Sequence, residues 1–161
     1  MERSEIMRRV KSHGTEPELL LRKHLFAAGI RYRVNVRNVS GKPDICIKRY
    51  KVAIFVHGCF WHGHGCRNMP KTNTAFWRNK IMMNRKRDDR VVRKLRGSGW
   101  NVLAVWECEM RKKAKLERII HIIVKTIRCL RQPASKKFLH TIEIEQETSM
   151  CEATANHQKS R

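Results

Sequence analysis

The sequence predicts an α/β fold with a central mixed sheet flanked by helices. Three observations carry that expectation. Val52-Ala53-Ile54-Phe55-Val56 is a short continuous apolar run, the pattern of a central strand covered on both faces. Trp100 to Trp106 is a second such run. Between and around these runs lie longer stretches with helical spacing, in the order helix, three strands, helix, strand, helix.

The elements follow in turn. Ser4 to Ser12 reads as a short basic helix. Thr15-Glu16-Pro17-Glu18 reads as a capping box, with the Thr15 hydroxyl accepting from backbone near Glu18 and Glu18 reaching back. Leu19, Leu20, Leu21, Leu25 and Phe26 give the following helix a broad apolar face, and Gly29 stops it. Ile30, Tyr32, Val34 and Val36 alternate and predict a half-buried strand. Ser40 to Pro43 is a turn, and Asp44 to Ile47 a second strand. Residues 57–73 lack periodicity and are rich in Gly, Cys and His, as a functional loop would be. A helix is expected from Thr74 to Arg96, with Trp77, Ile81, Val91, Val92 and Leu95 inward and Phe76 in the core. Gly97-Ser98-Gly99 ends it. Leu116 to Leu130 is an apolar-faced helix. Beyond Arg131 the composition turns polar, and residues 132–161 are read as a disordered tail in preference to a strand over 138–144.

Charge narrows the function. The 161 residues hold 36 Lys+Arg against 14 Asp+Glu, a formal excess of 22. From Ala134 onward the charges cancel, so the whole excess sits in residues 1–133. A domain this basic points to a polyanion, and nucleic acid is the expected one. No apolar stretch is long enough for a membrane span, and the charged N-terminus has no signal-peptide core, so the expected location is the cytoplasm. A monomer is expected.

The densest chemical signal is His57-Gly58-Cys59-Phe60-Trp61-His62-Gly63-His64-Gly65-Cys66. Clustered Cys and His in a reducing compartment read as metal ligands before disulfides. Cys59, His64 and Cys66 supply three zinc ligands from one loop, and Cys108, at the end of the strand Val102–Glu107, is the best candidate for the fourth. His57 and His62 then remain. Imidazoles titrate near neutrality and suit proton transfer. Asp44 offers the carboxylate that a divalent cation needs to activate water. Phe60 and Trp61, set among Arg and Lys, could wedge between base pairs.

With those residues quoted, the chain resembles the very-short-patch repair (Vsr) endonucleases. The resemblance rests on Gly41-Lys42-Pro43-Asp44, Val52 to Cys66, Thr74-Ala75-Phe76-Trp77 and Val105-Trp106-Glu107-Cys108, and spans residues 4 to about 130. It implies a restriction-endonuclease-like fold with a structural Zn2+ and catalytic Mg2+. It implies nicking 5′ to the thymine of a T:G mispair left by deamination of 5-methylcytosine. The substrate would be double-stranded DNA carrying that mismatch, with mismatch-repair proteins as further partners. The implied catalytic residues are Asp44, His62, His57 and Glu18. Asp44 and the backbone carbonyl of Val56 would hold magnesium, and Cys59, His64, Cys66 and Cys108 would hold zinc. Phe60, Trp61 and Trp77 would enter the duplex, and Met7 and Val10 would press on the opposite groove. Residues 1–131 would form the endonuclease domain.

The sequence departs from that family at Val56, where Thr is common, and in the short loop from Arg67 to Asn73. Two other readings fit the charge and the Cys/His loop: a zinc-stabilised DNA-binding protein without catalysis, and a restriction-type endonuclease of the same fold cutting both strands. Asp44, His57 and His62 speak against the first, because a binder does not need them.

Overall fold

The computed structural model describes residues 13–66 and 72–131. The expected helix over 4–12, with Met7 and Val10, and the expected tail over 132–161 lie outside the described residues.

Helix α1 spans Glu16–Ala27. Strand β1 (Ile45–Ile47) leads through a 3-10 turn at Lys48–Tyr50 into β2 (Val52–His57). Helix α2 spans Thr74–Gly97, β3 spans Asn101–Trp106, α3 is a single turn at Glu107–Met110, and α4 spans Lys113–Arg131. The sheet order is β1-β2-β3. β1 runs antiparallel to β2, with Ile45 opposite Ile54. β3 runs parallel to β2, with Val52 opposite Asn101 and His57 opposite Trp106. The sheet is therefore mixed, and β2 is central as its apolar run requires.

Both faces of the sheet are covered. On one face Leu21 and Leu25 of α1 and Leu116, Ile119, Ile123 and Ile127 of α4 pack against Ile45, Ile54, Leu103 and Val105. On the other, Leu95 of α2, with Val91 and Val92 beside it, packs against Cys46, Ala53 and Val102. Burying each of the fully covered Leu, Ile and Val side chains stabilises the fold by about 1.5–3 kcal/mol. The α1 face is narrower than its leucines suggest. Leu19 and Phe26 stay exposed, and the Arg31 guanidinium covers the Phe26 ring at 4.2 Å.

Four expectations are corrected. Residues 30–36 make a single antiparallel bridge, Arg33 to Cys46, and no strand. Asn35 takes a left-handed φ of 47°, which breaks the extended chain, and Val34 faces solvent. Thr15 does not accept at the helix start; its hydroxyl donates to Glu18 Oε1 (2.9 Å) while Gly14 N–H donates to Glu18 Oε2 (2.9 Å). Phe76 is 61% exposed, because the first turn of α2 precedes its contact with the sheet. Cys108 lies on α3, one residue past a strand end expected at Glu107; the backbone has already turned helical there.

Candidate active site and metal centre

Parallel pairing brings the C-terminal end of β2 beside that of β3, and the chemistry gathers at this edge. A cleft of about 750 Å³ is lined by Asp44, Val56, His57 and His62, with Arg37, Lys42 and Arg87 at its walls. Gly41 (φ 75°) lets the 37–42 loop close against α2, since a Cβ there would strike Val91.

Asp44 stands just before β1, and its Oδ2 accepts the Val56 N–H at 2.7 Å. That bond ties the carboxylate to β2, twelve residues on. Burial pushes the Asp44 carboxyl above its ordinary range; the Val56 N–H opposes the shift and the negative charge of Glu18 adds to it. Glu18 is 4% exposed and does not line the cleft. Arg22 links the two residues, donating to Glu18 Oε2 (2.8 Å) and to the Asp44 backbone carbonyl (3.2 Å). Asp44, on the cleft wall, offers carboxylate oxygen of the kind a divalent cation takes. Asp44 and the Val56 carbonyl would hold it; Glu18, expected among the catalytic residues, stands off the cleft wall.

His57 and His62 are stacked, with ring centroids 4.1 Å apart and planes 9° from parallel. Burial, then the neighbouring His62, push His57 down to about 4, so it is neutral at pH 7. His62 Nδ1 lies 2.6 Å from Asp88 Oδ2. Burial works to raise the Asp88 carboxyl, but its bond to His62 and the adjacent positive charge outweigh that and hold it low. The two atoms meet at ion-pair distance without hydrogen-bond alignment, so Asp88 acts on the His62 ring by charge, and Nε2 is the other nitrogen that can take a proton. His57, His62 and Asp88 also lie close enough together to be a possible metal group.

The second constellation is Cys59, His64, Cys66 and Cys108, whose candidate ligand atoms all lie within 4.8 Å of one another. Cys108 Sγ and His64 Nδ1 are 3.5 Å apart. Ligands about 2.3 Å from a tetrahedral zinc stand roughly 3.8 Å apart, so the set fits. Burial and the other two thiols push the Cys108 thiol up to about 12. A cation among the sulfurs would reverse that penalty. Trp106 stacks on His64 at 4.4 Å and meets His57 edge-on at 5.2 Å, so one indole braces both constellations.

Phe60, Trp61 and Trp77 form one half-buried cluster, with centroids 5.0 Å (Phe60–Trp77), 5.1 Å (Phe60–Trp61) and 6.2 Å (Trp61–Trp77) apart. Sequence reasoning thus anticipated the Asp44, His57 and His62 cleft, the four Cys/His ligands and the aromatic trio, and all three are brought together. It missed Asp88, Arg22, Asn84, Arg85 and Trp106. Asp88 had one signal, an acidic residue inside the strongly basic run Arg85 to Arg90. No helix among the described residues is long and apolar enough to cross a membrane.

Comparison with known proteins gives a consistent result. The family model described as DNA mismatch endonuclease Vsr matches residues 1–68. A protein named Type II nicking enzyme V.NmeAIP, from Neisseria meningitidis serogroup A, is 44% identical over 128 residues, covering 78% of this chain and 91% of its own. The DNA mismatch endonuclease Vsr of Escherichia coli K12 is 41% identical over 116 residues, covering 71% of this chain and 74% of its own. Among solved structures, the Homing Endonuclease I-Bth0305I Catalytic Domain superposes with a TM-score of 0.51 at 18% identity, over 74% of this chain and all of that one. That likeness bears on the fold alone.

Proposed function

The chain belongs to the Vsr family of DNA mismatch endonucleases, and from that premise we propose that it nicks one strand of duplex DNA 5′ to the thymine of a T:G mispair. Residues 1–131 are the endonuclease domain in this reading, with double-stranded DNA as substrate, Mg2+ as the catalytic ion and Zn2+ as a structural one.

The supporting observation is the His62–Asp88 pair on the same basic cleft as Asp44. Arg37, Lys42 and Arg87 can receive the phosphate. Asp88 lies against Nδ1 of His62 and can stabilise the ring when its Nε2 takes the proton from an attacking water. His57, kept neutral by burial, can accept a hydrogen bond beside it without adding positive charge. A divalent cation held at Asp44 would stabilise charge on the phosphate and activate water. The aromatic cluster carries Phe60 and Trp61 on the same loop as His62, so rings that enter a weakened base step would do so next to the reacting bond. A protein that only binds DNA has no use for an imidazole backed by a carboxylate beside a second carboxylate on the same cleft.

The test is incubation with magnesium and end-labelled duplexes carrying T:G, G:C or T:A at one position. A single nick confined to T:G supports the reading. Cutting of all three duplexes on both strands would favour a restriction-type enzyme, and tight binding with no cut a DNA-binding module.

A further inference from the structure

The loop that carries His62 has little regular backbone structure of its own. Its internal bonds are His62 N–H to Gly58 O (3.2 Å), Gly63 N–H to Phe60 O (3.3 Å) and His64 N–H to Cys59 O (2.9 Å). Its three successive carbonyls at the turn are instead taken by α2. Asn84 Nδ2 donates to Trp61 O at 2.9 Å, Arg85 Nε to His62 O at 2.8 Å and Arg85 Nη2 to Gly63 O at 2.6 Å. Gly63 (φ 63°) lies flat on the same helix, since a Cβ there would come within 2.6 Å of Ile81 Cγ2. Ile81, Asn84, Arg85 and Asp88 share one face of α2, at spacings of three and four residues.

We propose that Arg85 is a positioning residue for the nicking reaction, its guanidinium fork fixing the backbone of His62 while Asp88 fixes the ring. This rests on the nuclease reading above. His62 is thereby referenced at both ends to α2, whereas Asp44 is referenced to the sheet through Val56 N–H. The separation of base and carboxylate is then set by how α2 sits on the sheet, where Leu95, Val91 and Val92 pack against Ala53 and Val102. A planar fork holds two adjacent carbonyls in one fixed geometry; an ammonium, a point charge with rotatable donors, does not fix it. Misplacing a catalytic group by about 1 Å costs on the order of 100-fold in rate.

The test uses the zinc-loaded, full-length protein with Arg85→Ala and Arg85→Lys. Single-turnover nicking of T:G duplex should fall about 10- to 100-fold in both variants. Affinity for that duplex should change less than about 3-fold in Arg85→Lys, which keeps the charge. Added ethylguanidinium should restore part of the rate in Arg85→Ala and none in Arg85→Lys, a rescue that a merely structural defect would not show. Zinc content measured alongside separates the fork from the neighbouring metal ligands. If Arg85→Ala does not fold, Arg85→Lys carries the test by its rate and affinity. A zinc-loaded variant that nicks at the wild-type rate, or one whose loss lies wholly in binding, overturns the proposal. Failure of the wild-type protein to nick T:G would instead sink the mismatch reading, and Arg85 would then be tested on whichever duplex it does cut.

Discussion

Two regions of this molecule are built on opposite plans. The loop of residues 57–66 packs three of four zinc-type ligands, both stacked imidazoles and two of three clustered rings into ten consecutive positions. The carboxylate corner facing it is collected from three distant places: Glu18 and Arg22 on α1, Asp44 before β1, and Val56 near the end of β2. The corner inherits rigidity from the core, where Leu21, Leu25, Ile45 and Ile54 are fully buried. The loop does not. Only Cys59 within it is buried, and its shape depends on fixings brought from outside: Cys108, Trp106, Asn84, Arg85 and Asp88. Chemistry that is dense in sequence is thus the less self-sufficient in structure.

The sharpest way to break this contrast is to remove the proposed zinc clamp. Cys108→Ser should lose both the metal and the folded loop, because structural zinc contributes folding free energy on the order of 10 kcal/mol in small metal-dependent domains. Elemental analysis should fall from about one zinc per chain to none, with a large drop in unfolding temperature. Soluble, stable, zinc-free protein that still nicks would show that the loop stands without a metal.

The corner should behave differently. Asp44→Ala removes the proposed cation ligand but leaves the apolar core intact, so the fold and T:G binding should survive while single-turnover nicking drops by at least about 10²–10⁴-fold. Asp88→Asn should cost less, about 10²-fold, since His62 remains but loses the negative charge beside its ring. EDTA should stop nicking by the wild type, and excess magnesium should restore it. Wild-type nicking by Asp44→Ala, or a loss confined to binding, would end the assignment of that carboxylate.

The same contrast explains what could be read from the sequence. The loop was legible because Cys, His and Gly at that density have few uses, and β2 and β3 because a continuous apolar run bounded by turns has few alternatives. Val34 and Val36 misled because periodicity carries no information about a left-handed Asn35 between them. Arg22 and Arg85 were invisible for another reason. They are two of 36 basic residues, and a long side chain's partner is set by tertiary packing. The single turn of α3 was hidden by the strand pattern that runs into it, although it determines where Cys108 lies.

The smallest expected effect concerns the rings, and it tests whether the loop's aromatics do more than pack. Phe60, Trp61 and Trp77 contact one another edge-on or tilted, and none is fully buried. If they serve only as packing, Trp61→Ala should destabilise the loop and lower binding to matched and mismatched duplex alike. If Trp61 enters the duplex, matched DNA resists it and a T:G step yields, so the ring's contribution is confined to the mismatch. Nonspecific affinity comes from the Lys and Arg contacts to phosphate and should keep its steep salt dependence in the variant. Base–aromatic stacking is worth about 1–3 kcal/mol, so the preference for T:G over T:A should shrink by roughly 5- to 150-fold. Competition binding at two salt concentrations measures both quantities at once, and an equal loss on the two duplexes would reduce Trp61 to a packing residue.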